Sequence, residues 1–147
     1  MTHDTDRDVP APQRVELAFP PRPDLVFLAR MTAAAVATRA DFGFDQVEDL
    51  RLAIDELCIT VAGEGGAEGQ LRLLFEWADG TIRVDAALET DGAGPDGPGA
   101  DGGSPPASAS AGDLSERILD ALVDEHGTDS ATGTRRAWIV VRRTAPT

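Results

Sequence analysis

The sequence predicts an α+β fold, a two-layer sandwich in which helices cover one face of a mostly antiparallel sheet. Three observations predict it. Gln70–Trp77 and Thr81–Leu88 alternate apolar and polar residues and are joined by Asp79-Gly80, a hairpin signal. Leu71, Leu73, Phe75 and Trp77 fall on one face of that hairpin, as do Ile82, Val84, Ala86 and Leu88, so one side is greasy and needs a cover. Two long segments, Asp24–Ala40 and Val47–Val61, contain no helix breaker and can supply that cover.

The elements follow in order. Met1–Gln13 has few apolar residues and two prolines, and reads as a disordered tail before a single folded domain, 14–143. Arg14–Phe19 alternates and predicts a short strand stopped by Pro20-Pro21. In Asp24–Ala40, residues Leu25, Leu28, Thr32, Ala35 and Val36 form a helical stripe of mostly small side chains that permits close approach to a neighbour. Gly43 ends the connection, and Asp45 with Glu48 resembles a capping box for the next helix.

Val47–Val61 predicts a helix with two useful faces. Val47, Leu50, Ile54, Leu57, Cys58 and Val61 form one apolar stripe. Glu56 and Thr60 lie four apart on the far side and are neighbours there, flanked by Leu52 and Ile59. A carboxylate between aliphatic side chains either faces a cleft or packs under a loop, and spacing leaves both open.

Gly63–Gly69 reads as a loop before the hairpin. After it, Thr90–Gly112 holds 23 residues drawn from Gly, Pro, Ala, Asp, Ser and one Thr. Nothing in it can anchor in a core, so it is expected to be mobile, as a lid or as a disposable insertion. Regular structure is expected to resume at Asp113, with Leu114, Ile118, Ala121, Leu122 and Glu125 on one helix face and Leu119 and Val123 beside it. Gly127 is expected to stop this helix. Gly133 precedes a last strand, Ala137–Arg142, whose Trp138-Ile139-Val140-Val141 reads as buried on both faces.

Composition narrows the function. The 147 residues carry a formal charge of −13, from 26 acidic and 13 basic side chains. That argues against non-specific nucleic-acid binding, which needs phosphate neutralisation, and is compatible with a basic protein partner. Every basic residue is Arg, so a GxxxxGK[ST] phosphate loop and a Schiff-base lysine are both impossible. Cys58 is the single cysteine, which excludes an internal disulfide and a cysteine-based zinc site. No apolar run of membrane-spanning length and no signal peptide are visible, so a cytoplasmic location is expected. His3 and His126, the latter read as lying near a helix C-terminus, have no metal-ligand companion.

The segment EDLRLAIDELC, the glycine-rich loop and the later LDALVDE together resemble a known family. The chain is similar, from about Arg14 to Arg143, to the bacterial anti-sigma factor serine kinases of the RsbW and SpoIIAB type, within the histidine-kinase and Hsp90-like ATPases. The resemblance implies a Bergerat-type ATP-binding fold, with ATP and Mg²⁺ as cofactors. It implies a sigma factor and an antagonist protein as partners, no direct nucleic acid, no membrane, and homodimers. It makes Glu56 the base toward an attacking hydroxyl. Thr60 stands where the family has a metal-holding Asn. Asp91, followed directly by Gly92, is nearest to the family's adenine-binding Asp-x-Gly, with Glu89 as rival. Gly112 is the one glycine kept from the turn that meets the phosphates, and Asp113 and Glu116 put negative charge there. Arg117 either offsets that charge or is an ordinary solvated arginine. The nucleotide motifs are thus degenerate.

Three readings follow. The chain is an anti-sigma-type kinase that sequesters a sigma factor and phosphorylates an antagonist on Ser or Thr. Alternatively it is a partner-binding protein that keeps the fold without nucleotide chemistry, or a binding module with an unrelated ligand.

Overall fold

The computed structural model of the protein describes residues 13–63, 68–89, 106–131 and 134–144. Its elements are β1 (Gln13–Phe19), α1 (Pro23–Arg39), α2 (Phe44–Ala62), β2 (Gln70–Ala78), β3 (Thr81–Glu89), α3 (Pro106–Leu122), β4 (Glu125–Ala131) and β5 (Thr134–Arg142). The five strands form one sheet in the order β1-β2-β3-β5-β4, antiparallel at every junction. The expected α+β two-layer architecture is what the chain adopts. The disordered-tail expectation falls on residues 1–12, outside the described residues, while Gln13 already belongs to β1.

The hairpin forms as its sequence requires. Asp79 and Gly80 both take positive φ, 51° and 73°, the combination of a two-residue turn whose twist matches the strands. Alternation then sends Leu71, Leu73, Phe75, Ile82, Val84 and Ala86 to the helix side, where all are buried. In β5, Ala137, Ile139 and Val141 join them. On the opposite face Val140 is buried and Trp138 half-buried, with the Arg83 guanidinium 4.9 Å from the centre of its ring.

On α1 the helical period is right but its phase is one residue off. The buried stripe is Ala29, Ala33, Val36 and Ala37, while Leu28 is 43% exposed. Alanines allow close approach to α2, and the larger Phe27, Leu28 and Met31 stay outside. On α2 the expected stripe is the observed one: Leu50, Ile54, Leu57, Cys58 and Val61 are buried. The capping box does not form, since α2 starts two residues before it was expected to. Gly43 is the N-cap, Asp45 lies in the first turn beside the positive helix end, and Glu48 pairs with Arg51 at 3.1 Å.

The C-terminal half departs most from expectation. α3 begins at Pro106, so 106–112 are helical rather than loop. Proline is favoured at the first helical position, and Ala107, Ala109 and Ala111 are strong helix formers. Residues 90–105 lie outside the described residues. The inward face of α3 carries Ser115 and Leu119, with Leu122 packed against the core, while Leu114 is 60% exposed. α3 ends at Leu122, and an unexpected strand, β4, follows. Gly127 is therefore a strand residue and not a helix stop. His126 also lies in β4, its Nε2 2.7 Å from Oδ1 of Asp120 in the last turn of α3, so it stays near that helix end as a strand residue. The sequence EHGTDSA has no large apolar residue to alternate, which hid this strand.

Gly127 sits opposite Trp138 in the ladder, and a Cβ built on it would lie 2.7 Å from the indole. Gly127→Ala must therefore push the Trp138 ring away and is expected to cost about 1–3 kcal/mol. Urea unfolding reads this directly, and an unchanged midpoint would refute the contact.

Candidate functional site

The middle of α2 is clamped from two sides. Toward α1, Asp55 pairs with Arg30 at 2.7 Å, with both side chains about one-third exposed. Toward α3, Glu56 Oε1 accepts a hydrogen bond of 2.9 Å from Ser115 Oγ. Ser115 is 7% exposed and is the one buried polar residue among those described. Glu56 thus meets a neighbouring helix while staying half-buried. Its predicted flanks differ, since Ile59 is half-buried while Leu52 is 55% exposed. The cover over α2 therefore does not extend to Leu52.

Thr60 lies one turn beyond Glu56, and its Oγ1 is buried without a hydrogen-bond partner. A hydroxyl in that state costs free energy that a ligand donor or acceptor could recover. The two residues nonetheless line different cavities. Glu56 borders one of about 320 Å³ between the start of α1 and the end of α2, with Val26, Arg30, Ile59 and Leu71. Thr60 borders one of about 250 Å³ under α3, with Glu116, Leu119, Thr128 and Arg135.

The remaining candidates are scattered. Asp91 and Gly92 lie outside the described residues. Glu89 ends β3 on the sheet face away from α2, where both its oxygens receive Arg72 at 3.2 Å. Gly112 is inside α3, six residues past Pro106, so it forms no turn at a helix start. Glu116 and Arg117 are exposed on α3. Cys58, on the buried stripe, is pushed up to about 12 by burial first and by the nearby Asp55 second, against a smaller opposite pull from Arg30. It is an inert thiol at neutral pH.

Sequence reasoning missed Ser115 and the Arg30–Asp55 pair. The signal for Ser115 was a small polar residue four before Leu119 on one helical stripe, concealed by the phase shift on α3. The pair left no sequence signal, because its members are 25 positions apart.

Half of the chain has curated relatives. The chain is similar to the serine-protein kinase RsbW. To RsbW of Bacillus cereus strain B4264 it is 29% identical over 77 residues, covering 51% of this chain and 48% of that protein. To RsbW of Bacillus cereus strain AH187 it is 31% identical over 65 residues, covering 43% and 41%. To RsbW of Bacillus thuringiensis strain Al Hakam it is 27% identical over 74 residues, covering 49% and 46%. The chain spans about half the length of the curated relatives it matches. No family model matches it. Among the described residues no helix is long and apolar enough to cross a membrane.

A kinase of the RsbW kind uses ATP. Among the described residues, one oxygen of Glu56 is engaged by Ser115, Thr60 borders another cavity, and Gly112 sits where its amide belongs to a helical ladder instead of facing an anion.

Proposed function

We propose that the chain is an anti-sigma-type regulator that sequesters a sigma factor through the kinase-like fold and does not turn over ATP efficiently. The similarity to RsbW supports the anti-sigma class. One observation supports the loss of chemistry: the carboxylate of Glu56, which would serve as the base, is engaged by a hydroxyl of its own chain at 2.9 Å. The net charge of −13 suits a partner with basic helices.

The experiment pairs two measurements on the full chain. Size-exclusion chromatography with purified host sigma factors, taken one at a time, is expected to give a stable complex with one of them. The same column reads the oligomeric state, which the resemblance puts at a dimer. Titration calorimetry with Mg·ATP is expected to give no heat up to millimolar nucleotide. Failure to bind any sigma factor removes the anti-sigma reading. Micromolar, Mg²⁺-dependent binding followed by turnover of the bound ATP overturns the loss of chemistry.

The orphaned Thr60 hydroxyl favours a second reading, an active kinase that phosphorylates a Ser or Thr of an antagonist with Glu56 as base and Thr60 at the metal. A bound nucleotide and its metal would give that hydroxyl a partner. Phosphotransfer abolished by Glu56→Gln is the result that would establish it.

A further inference from the structure

A base that takes a proton from an alcohol first accepts that alcohol's hydrogen bond, at roughly 2.6–3.2 Å between heavy atoms. Ser115 Oγ donates to Glu56 Oε1 at 2.9 Å, inside that window. Ser115 is itself a primary alcohol, the same functional group as a serine substrate. It is buried, and it comes from α3, 59 positions away in sequence.

The helix that delivers Ser115 is anchored in the core on its C-terminal side. Leu119 is in the core and Leu122 packs against it, both C-terminal to Ser115. N-terminal to Ser115 the helix reads Pro106-Ala-Ser-Ala-Ser-Ala-Gly-Asp-Leu114, with two serines and a glycine that are weaker helix formers than alanine, and with Leu114 turned out to solvent. The hydrogen bond to Glu56 therefore lies one turn N-terminal to the first core anchor of α3, Leu119.

We infer that Ser115 is a built-in pseudosubstrate: its hydroxyl occupies the place on Glu56 that an incoming Ser or Thr hydroxyl would take, and it latches α3 against α2 at that point. The inference deepens the proposed function and rests on it for the meaning of Glu56, since the latch itself is a separate physical claim. An external hydroxyl has to displace Ser115 before it takes the position on Oε1 of Glu56. The same bond keeps Oε1 of Glu56 engaged for as long as α3 stays docked on α2.

Amide hydrogen exchange on the full chain tests the latch without any ligand. Ser115→Ala is expected to speed exchange of the α3 amides around Ser115 by about tenfold, the loss expected for a hydrogen bond to a charged acceptor. The β2 and β3 amides should stay unchanged. Ser115→Thr, which keeps the hydroxyl, should exchange as the unmodified chain does. Glu56→Ala removes the same bond from the other side and should reproduce the Ser115→Ala pattern, with the double variant no faster than either single one. Unchanged α3 exchange in Ser115→Ala overturns the latch, and so do additive effects in the double variant. A rise spread equally over β2 and β3 overturns it too, because that is loss of global stability. None of these outcomes touches the sigma-factor reading, which the chromatography decides alone.

Discussion

Phe75→Ala lowers the unfolding free energy by about 3–5 kcal/mol. Among the described residues Phe75 is the largest of the fully buried side chains, with no solvent exposure. It lies in β2, paired with Val15 on one side and Val84 on the other, and alternation aims it at the helix layer. Truncation loses the transfer free energy of the ring and leaves a cavity that close-packed neighbours only partly fill. A domain of ordinary stability has about 5–15 kcal/mol in total, so the variant gives up a large part of it. In urea the midpoint should fall with little change in slope. A loss under about 1 kcal/mol would mean that the sheet face does not pack as described.

Alkaline pH has an effect of similar size through one group. The chain has no Tyr and no Lys, so Cys58 is the one side chain that titrates between the ordinary thiol range and the range of arginine. Unfolded, its thiol ionises near 9.0, whereas in the fold burial and then Asp55 hold the proton until about 12. Below 9.0 both states are protonated and the contribution is intact. As pH rises from 9.0 through about 12 the unfolded chain releases the proton and the folded chain keeps it, so stability falls. At 1.36 kcal/mol per unit the loss is on the order of 4 kcal/mol. Chemical denaturation stepped across that window measures it. Cys58→Ala should flatten the slope, and an equal slope in both proteins would show that the thiol is not the cause.

Legibility in the sequence followed burial. α2 and the β2–β3 hairpin were readable because one face of each is strictly apolar and their turn residues are specific. The stripes of α1 and α3 were readable in period but not in phase. On α1, alanines and larger residues compete for the buried face, and only contact with α2 decides between them. On α3, Leu114 drew the stripe one residue away from Ser115 and Leu119. β4 was invisible because an edge strand with Gly127 and no large apolar residue gives no alternation. For the site, the i, i+4 relation of Glu56 and Thr60 was legible as helix geometry. Their partners were not, since Ser115 reaches Glu56 only through the docking of a distant helix. The separation of Glu56 and Thr60 into two cavities depends on the same docking.

If Ser115 holds the Glu56 carboxylate in the proposed regulator without nucleotide chemistry, calorimetric titration of the full chain with Mg·ATP should give no binding heat at millimolar nucleotide. A saturable heat in the micromolar range that vanishes when Mg²⁺ is chelated would show instead that the fold still takes the nucleotide.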